Sequence, residues 1–184
     1  MRAARPLLAT LVLASCVLAS LSAVGCSSKD APVVAGGAVW QLQGSTCQDR
    51  SIHKLAVTAT GDNGQPVDRL LSDGADGARV RCQLDGSHFN VALSNANGAL
   101  VASGSISGAT STNASITFNV PQGTYKTTTV PCSLAILQND GANFSANIAC
   151  KQLDNPSLPG DECAIDNTGA SVTSYFQFEN CTGF

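Results

Sequence analysis

Eight cysteines and two histidines are the side chains with the most to offer chemically in this 184-residue chain. Thiolates and imidazoles hold zinc when they are paired at short spacing. From Cys47 onward no Cys-x-x-Cys pair occurs, the nearest neighbours are Cys150 and Cys163, and only His53 and His88 could join them. No metal site and no cofactor are therefore expected. Cys47, Cys82, Cys132, Cys150, Cys163 and Cys181 are expected instead to form three disulfides, the usual state of such a set outside the cytoplasm. Spacing cannot dictate the pairing. The expected arrangement is Cys47–Cys82, Cys132–Cys150 and Cys163–Cys181, best argued for the middle pair, with Cys82–Cys150 across two packed sheets as its rival.

Nucleophilic catalysis by serine would announce itself as Gly-x-Ser-x-Gly on a strand-to-helix turn. The stretch Gly104-Ser105-Ile106-Ser107-Gly108 has the outline, but Ile106 stands at the nucleophile position and no helix is expected after it. His53 shares strand parity with Leu55 and Val57, which suits a strand-end histidine satisfied by the backbone. His88 falls on the opposite parity from Phe89 and should face water. Most acids sit beside Gly or Asn, where turns are made, so no converging carboxylate pair is expected. No phosphate loop or dinucleotide fingerprint is present. No catalytic residue emerges, and the chain is expected not to be an enzyme.

Binding is better sought in two long acidic segments. Residues 60–78 carry Asp62, Asp68, Asp73 and Asp76, with Leu70-Leu71 as either a partner anchor or a lid over the core. Residues 151–171 carry Asp154, Asp161, Glu162 and Asp166, stiffened by Pro156 and Pro159. Neither has the calcium-loop spacing. Both are expected to be solvated loops on a rigid scaffold, where binding sites are often found. A sugar-binding face would need exposed aromatics; Trp40, Tyr125 and Tyr175 are the candidates, and Trp40 is expected to cover core.

The elements that position these groups are strands. Charged residues are 12% and aromatics 5% of the chain, too few long helix formers for a helical fold. Val80, Cys82 and Leu84 alternate with Arg79, Arg81 and Gln83, ending at Asp85-Gly86, a pair that tolerates the positive φ of a tight turn. Pairing about that turn sets Cys82 against Phe89 and Val80 against Val91. Folding about Asn97-Gly98 sets Leu93 against Ala102 and Phe89 against Ile106; a loop near Ser111 then sets Ile106 against Ile116 and Gly104 against Phe118. One apolar face runs through all four strands. A second hairpin, residues 132–150, turns at Asn139-Asp140-Gly141 and places Cys132 opposite Cys150. Further strands are expected at 38–43, 52–59 and 172–180. About nine strands in an antiparallel β-sandwich, with a barrel as runner-up, is the expected all-β architecture. Residues 38–184 form one domain.

The first 26 residues are of another kind. Arg2 and Arg5 precede an uncharged apolar run from Pro6 to Val24, which ends in Ser22-Ala23-Val24-Gly25-Cys26 and the polar Ser27-Ser28-Lys29-Asp30. This segment resembles the lipobox signal peptide of bacterial lipoproteins; the mature domain resembles no known family. The resemblance implies that residues 1–25 are removed and that Cys26, the new N-terminus, carries diacylglycerol and a further acyl chain such as palmitate. The family usually has Leu where this chain has Ala23. Leu13-Ala14-Ser15-Cys16 fits the motif letter by letter, but cleavage there would leave apolar Val17–Val24 at the mature end. Ordinary signal-peptidase cleavage and an uncleaved span over Leu7–Val24 are the alternatives; removal of Cys16 and lipidation of Cys26 would leave an even six cysteines for disulfides.

Ser27, where the family's inner-membrane retention signal has Asp, points to the outer membrane. Residues 26–37 are expected as the lipidated N-terminus and a flexible tether; residues 27–37 would span about 18 Å on average. With Arg2 and Arg5 gone, eight basic residues face thirteen acidic ones, a formal charge of −5, so nucleic acid is not an expected partner. Beside a bacterial leader, the sequons at Asn113, Asn143 and Asn180 are read as chance. The expected function is a non-catalytic envelope lipoprotein, structural or protein-binding, that meets the membrane through its lipid and another envelope protein through its domain. A secreted carbohydrate-binding module and, third, a hydrolase are the alternatives.

Overall fold

The computed structural model describes residues 31–60, 65–168 and 170–183, with backbone alone at 59, 60, 66 and 67; the leader and Cys26 lie outside them. Alternation of apolar and polar residues, broken by glycine turns, produces fourteen strand segments. They are β1 (Ala35–Gln41), β2 (Ile52–Leu55), β3 (Val57–Thr60), β4 (Pro66–Arg69), β5 (Leu71–Ser72), β6 (Arg79–Leu84) and β7 (His88–Asn95). Then follow β8 (Gly98–Ser105), β9 (Thr110–Val120), β10 (Gly123–Lys126), β11 (Cys132–Asn139), β12 (Phe144–Asp154), β13 (Glu162–Ile165) and β14 (Tyr175–Glu179). One 3₁₀ turn covers Ala75–Gly77. No helix among the described residues is long and apolar enough to cross a membrane.

The named strands pair antiparallel. The sheet runs β6-β7-β8-β9, then β10 and β11 sharing one place, β12, β13 and β14 sharing the next, β1, and lastly β2 and β5. It folds back on itself. Trp40 of β1 meets Phe118 of β9 with ring centroids 4.8 Å apart, and Phe89 of β7 meets Phe144 of β12 at 5.1 Å. The two eleven-residue strands pass from one layer to the other: β9 pairs with β11 through its first half and β10 through its second. No ladder among the described residues joins β6 to β2 or β5, so the sandwich is not a closed barrel. Five phenylalanines, Trp40 and Tyr125 are buried at its centre.

The expected faces hold while three registers move. Cys82 faces Val91 and Leu84 faces Phe89; Leu93 faces Leu100; Ala102 faces Ile116. The first two hairpins differ from expectation by two residues and the third by four. Because side chains alternate with period two, even shifts leave the same residues inside. The 132–150 hairpin keeps its expected register near the cysteines, with Ser133 against Ala149, and takes up one bulge after Ile136.

Two boundaries are corrected. Ala35, Gly36 and Gly37 belong to β1 rather than to a tether, pairing with Glu179, Phe178 and Gln177. The glycines are packing residues, since a Cβ on Gly36 would stand 2.7 Å from the Phe178 ring. The acidic segments are not structureless either: 60–78 contains β4 and β5, and 151–171 contains the end of β12 and all of β13. Leu71 is buried and pairs with Gly36, so the apolar pair in that segment is a lid over the core.

Three disulfides join neighbouring segments, and only Cys132–Cys150 matches expectation. The other pairs are Cys47–Cys163 and Cys82–Cys181. Neither Cys47–Cys82, Cys163–Cys181 nor Cys82–Cys150 forms. Gln43 and Ala164 exchange backbone bonds of 2.8 and 2.7 Å, which lays the Cys47 segment along β13. Thr182 does the same along β6 and delivers Cys181 to Cys82. Loops of 116, 99 and 18 residues are closed, contributing about 5, 5 and 3 kcal/mol in the chain-entropy account. Disulfides of this kind belong to proteins outside the cytoplasm.

Candidate functional site

Asp49 and His53 come together because the turn after Cys47 folds the chain back into β2. His53 Nε2 lies 2.8 Å from Asp49 Oδ2, and the carboxylate also accepts the Ser51 N–H at 3.0 Å. The pair is enclosed, with side-chain exposures of 11% for His53 and 0% for Asp49. The imidazole stacks on Trp40 at 5.4 Å. His53 is thus satisfied by a side chain rather than by the backbone. Among the described residues no serine or cysteine is bonded to its other ring nitrogen, and the contacts seen for the ring are Asp49 and Trp40.

A second polar group lies close by. Asp161 accepts bonds from the Gln48 N–H (2.9 Å), the Tyr125 hydroxyl (2.8 Å) and Asn155 Nδ2 (3.0 Å). Burial pulls its carboxyl upward, but these three donors outweigh it and hold the pKa below the ordinary value of 3.8. Burial first, and the bond to Asp161 second, push Tyr125 up to about 12. Gly123 is required here because a Cβ would stand 2.8 Å from Asn155 Nδ2. Asp161 also lies beside Cys47 and Cys163, whose sulfurs are bonded to each other and cannot act as thiolate ligands.

His88 faces water as expected, with 56% of its side chain exposed. Asp85 and Ser87 both contact its Nδ1, at 3.1 and 3.0 Å. A hydrolytic triad needs acid and nucleophile on different ring nitrogens, and this is a turn cap. Ile106 packs against the core, Ser105 N–H donates to Asn113, and Ser107 closes a turn to Thr110. The Gly104–Gly108 stretch is a hairpin end.

The expected acidic residues are spent locally. Asp73 accepts the Val80 N–H, Asp68 pairs with Lys54, Asp154 accepts Thr128, and Asp166 accepts the Thr168 N–H. Asp76 lies in the 3₁₀ turn and Glu162 opens β13. Asp62 lies outside the described residues. Among the described Phe, Tyr and Trp rings only Tyr175 is partly exposed, so these rings present no flat stacking platform for a sugar.

What sequence reasoning missed is a trough on the outer face. Thr112 of β9, Ser133 of β11, Ala149 of β12, Ala164 of β13 and Gly44 line successive hollows, one small residue from each adjacent chain segment. The row crosses four inter-strand spacings, about 19 Å. One hollow of about 650 Å³ counts Lys151, Asp166, Val130 and Pro131 among its lining residues. That size suits a bound group, and the polar side chains that line it are hydroxyls with one ammonium and one carboxylate. Period-two alternation turns Thr112, Ser133 and Ala149 outward and the 132–150 hairpin aligns the last two; nothing in the sequence brought Gly44 and Ala164 into line with them. No protein-family model, curated protein or solved structure matches this chain.

Proposed function

We propose that this chain is a non-catalytic lipoprotein of the bacterial envelope, held in the outer membrane by acyl chains on Cys26, its β-domain serving as a structural or protein-binding module. The observation that supports this reading is cysteine parity. All six cysteines from Cys47 onward are paired in disulfides, so removal of a leader containing Cys16 leaves Cys26 as the sole thiol. Each buried methylene contributes about 0.8 kcal/mol, and several chains on one cysteine make attachment effectively permanent. The Val33 carbonyl is fixed by Asn180 Nδ2 at 2.9 Å. Seven steps of chain separate it from Cys26, which keeps the domain within about 25 Å of the lipid at full stretch. The outer-face trough is the surface offered to a partner protein.

Intact mass of the protein from its native membrane fraction, before and after reduction with thiol alkylation, tests the reading. The expected result is a chain beginning at Cys26 with acyl additions and six thiols released only by reduction. An unlipidated mass overturns the anchor. Crosslinking from Ser133→Cys in envelopes is expected to capture a protein partner through the trough; selective binding on a glycan array would favour the carbohydrate alternative instead.

A further inference from the structure

Charge is spread unevenly over the strands. Acidic residues outnumber basic ones in the chain, yet none of the four strands β6–β9 contains an Asp or a Glu. Arg79 and Arg81 stand two residues apart on β6, both exposed, so their side chains leave one face about 7 Å apart. Facing them on β7 are Ser94 and Ala92, and next on β8 come Ala99 and the exposed Val101. These side chains leave a hollow of about 250 Å³ beside the two arginines. Among the described residues neither guanidinium makes an ion pair or a hydrogen bond. Arg50 differs, since its guanidinium donates to the Cys47 and Ser45 carbonyls. Asp73, the acid that touches β6, spends its carboxylate on the Val80 N–H at 2.8 Å.

The same corner receives the chain from residues 26–32. The Asp73 N–H donates to the Val34 carbonyl at 2.9 Å, so one residue touches both the entry to β1 and the start of β6. A Cβ on Gly36 would stand 3.1 Å from Val80, which shows how closely the two strands approach there. The far end of β6 is covered by the C-terminal segment, where the Thr182 N–H donates to the Cys82 carbonyl at 2.9 Å and the Leu84 N–H to the Thr182 carbonyl at 2.8 Å. β1 carries the chain away from the corner, toward Gly44 and the trough. We propose that Arg79 and Arg81 bind the phosphates of anionic phospholipid in the membrane that holds Cys26, so that this corner of the domain rests on the bilayer surface and the trough is left to a partner protein. The proposal rests on the lipid anchor. A guanidinium fork matches phosphate oxygens two at a time and is weakly hydrated, so it gives up water readily for such a group. Two arginines alone would hold a free protein only weakly. Seven steps of chain between Cys26 and Val33 make the contact intramolecular, at an effective concentration of the order of millimolar.

Protein taken from its native membrane and reconstituted into vesicles tests the contact, with phosphatidylcholine alone compared with an equal mixture of phosphatidylcholine and phosphatidylglycerol. Phenylglyoxal modifies exposed arginines, and peptide mass mapping reads each site. Arg79 and Arg81 should react at least about fivefold more slowly on the mixed vesicles, the factor expected for one basic residue at an anionic surface. Exposed Arg50, beside Gly44 at the other end of β1, should keep its rate. The difference should vanish at about 1 M salt, where the screening length falls to about 3 Å. Equal rates on the two kinds of vesicle, or equal slowing of Arg50, overturn the headgroup contact. Equal slowing by inorganic phosphate without anionic lipid assigns the pair to a soluble anion and overturns it too. Flotation of the same samples separates this contact from the anchor. Protein that floats with both kinds of vesicle but reacts equally is anchored without the contact; protein that floats with neither has no anchor, and both readings fall.

Discussion

Two aspartate–histidine pairs of similar spacing sit in opposite surroundings. Asp49 and His53 are enclosed beside Trp40, while Asp85 and His88 cap an exposed hairpin turn with side-chain exposures of 40% and 56%. Both make short contacts. Their energetic weight should differ, because a buried polar group that loses its partner cannot recover it from water, whereas an exposed one can. The lesson extends to Asp161 and Asp140: one anchors donors from three segments, Tyr125 and Asn155 among them buried, the other gathers N–H groups of its own turn.

The sharpest way to test that contrast is Asp161→Ala, which strips an acceptor from Tyr125, Asn155 and the Gln48 N–H. A loss of about 3 kcal/mol or more is expected in urea unfolding, and a loss below 1 kcal/mol would break the comparison. Asp49→Ala should follow at about 2 kcal/mol, by leaving His53 Nε2 and the Ser51 N–H unpaired. Tyr125→Phe should cost about 1–2 kcal/mol and also change the alkaline limb. Because the folded hydroxyl titrates near 12 rather than 10, its contribution is complete below pH 10 and is lost as pH rises toward 12. The variant should lack that decline in a pH series of melting curves.

At the acid end the sign reverses. The depressed Asp161 contributes stability above its ordinary value of 3.8 that disappears as pH falls through its lower folded pKa, and Asp161→Asn should flatten this limb. Asp85 is depressed too, by the Ser87 N–H first and by the His88 N–H and ring, with desolvation opposing them. Water screens it, so Asp85→Ala is expected to give the smallest change, with no resolvable shift in Tm. A shift as large as that of Asp49→Ala would show that burial is not what separates the pairs.

Much of the interior was legible in the chain. Val80, Cys82, Leu84, Phe89, Val91 and Leu93 were expected on one face and are all buried. β10 and β13 escaped notice because four residues give no periodicity to detect; they exist through partners, Lys126 against Thr117 and Cys163 against Leu153. Gly36-Gly37 looked like linker because its meaning lies in the Phe178 ring. His53 could be placed inward by parity, but not matched to Asp49, since the turn that joins them follows no strong local signal.

By itself, then, the amino-acid order determined which side of each strand would be buried, that the fold would be all β, and that Cys132 and Cys150 would meet across a single hairpin. Those properties depend on period two and on turns a few residues long, both local. The tertiary structure alone decided the other two disulfides, the line of small residues that forms the trough, and the cover over β6. The two disulfides and the cover over β6 need segments about 100 residues apart in the chain, such as Cys82 and Cys181, to lie side by side, and the trough needs the Gly44 segment beside β13. A long closure costs only slightly more entropy than a somewhat shorter one, so spacing hardly discriminates among partners, and packing of the whole core makes the choice.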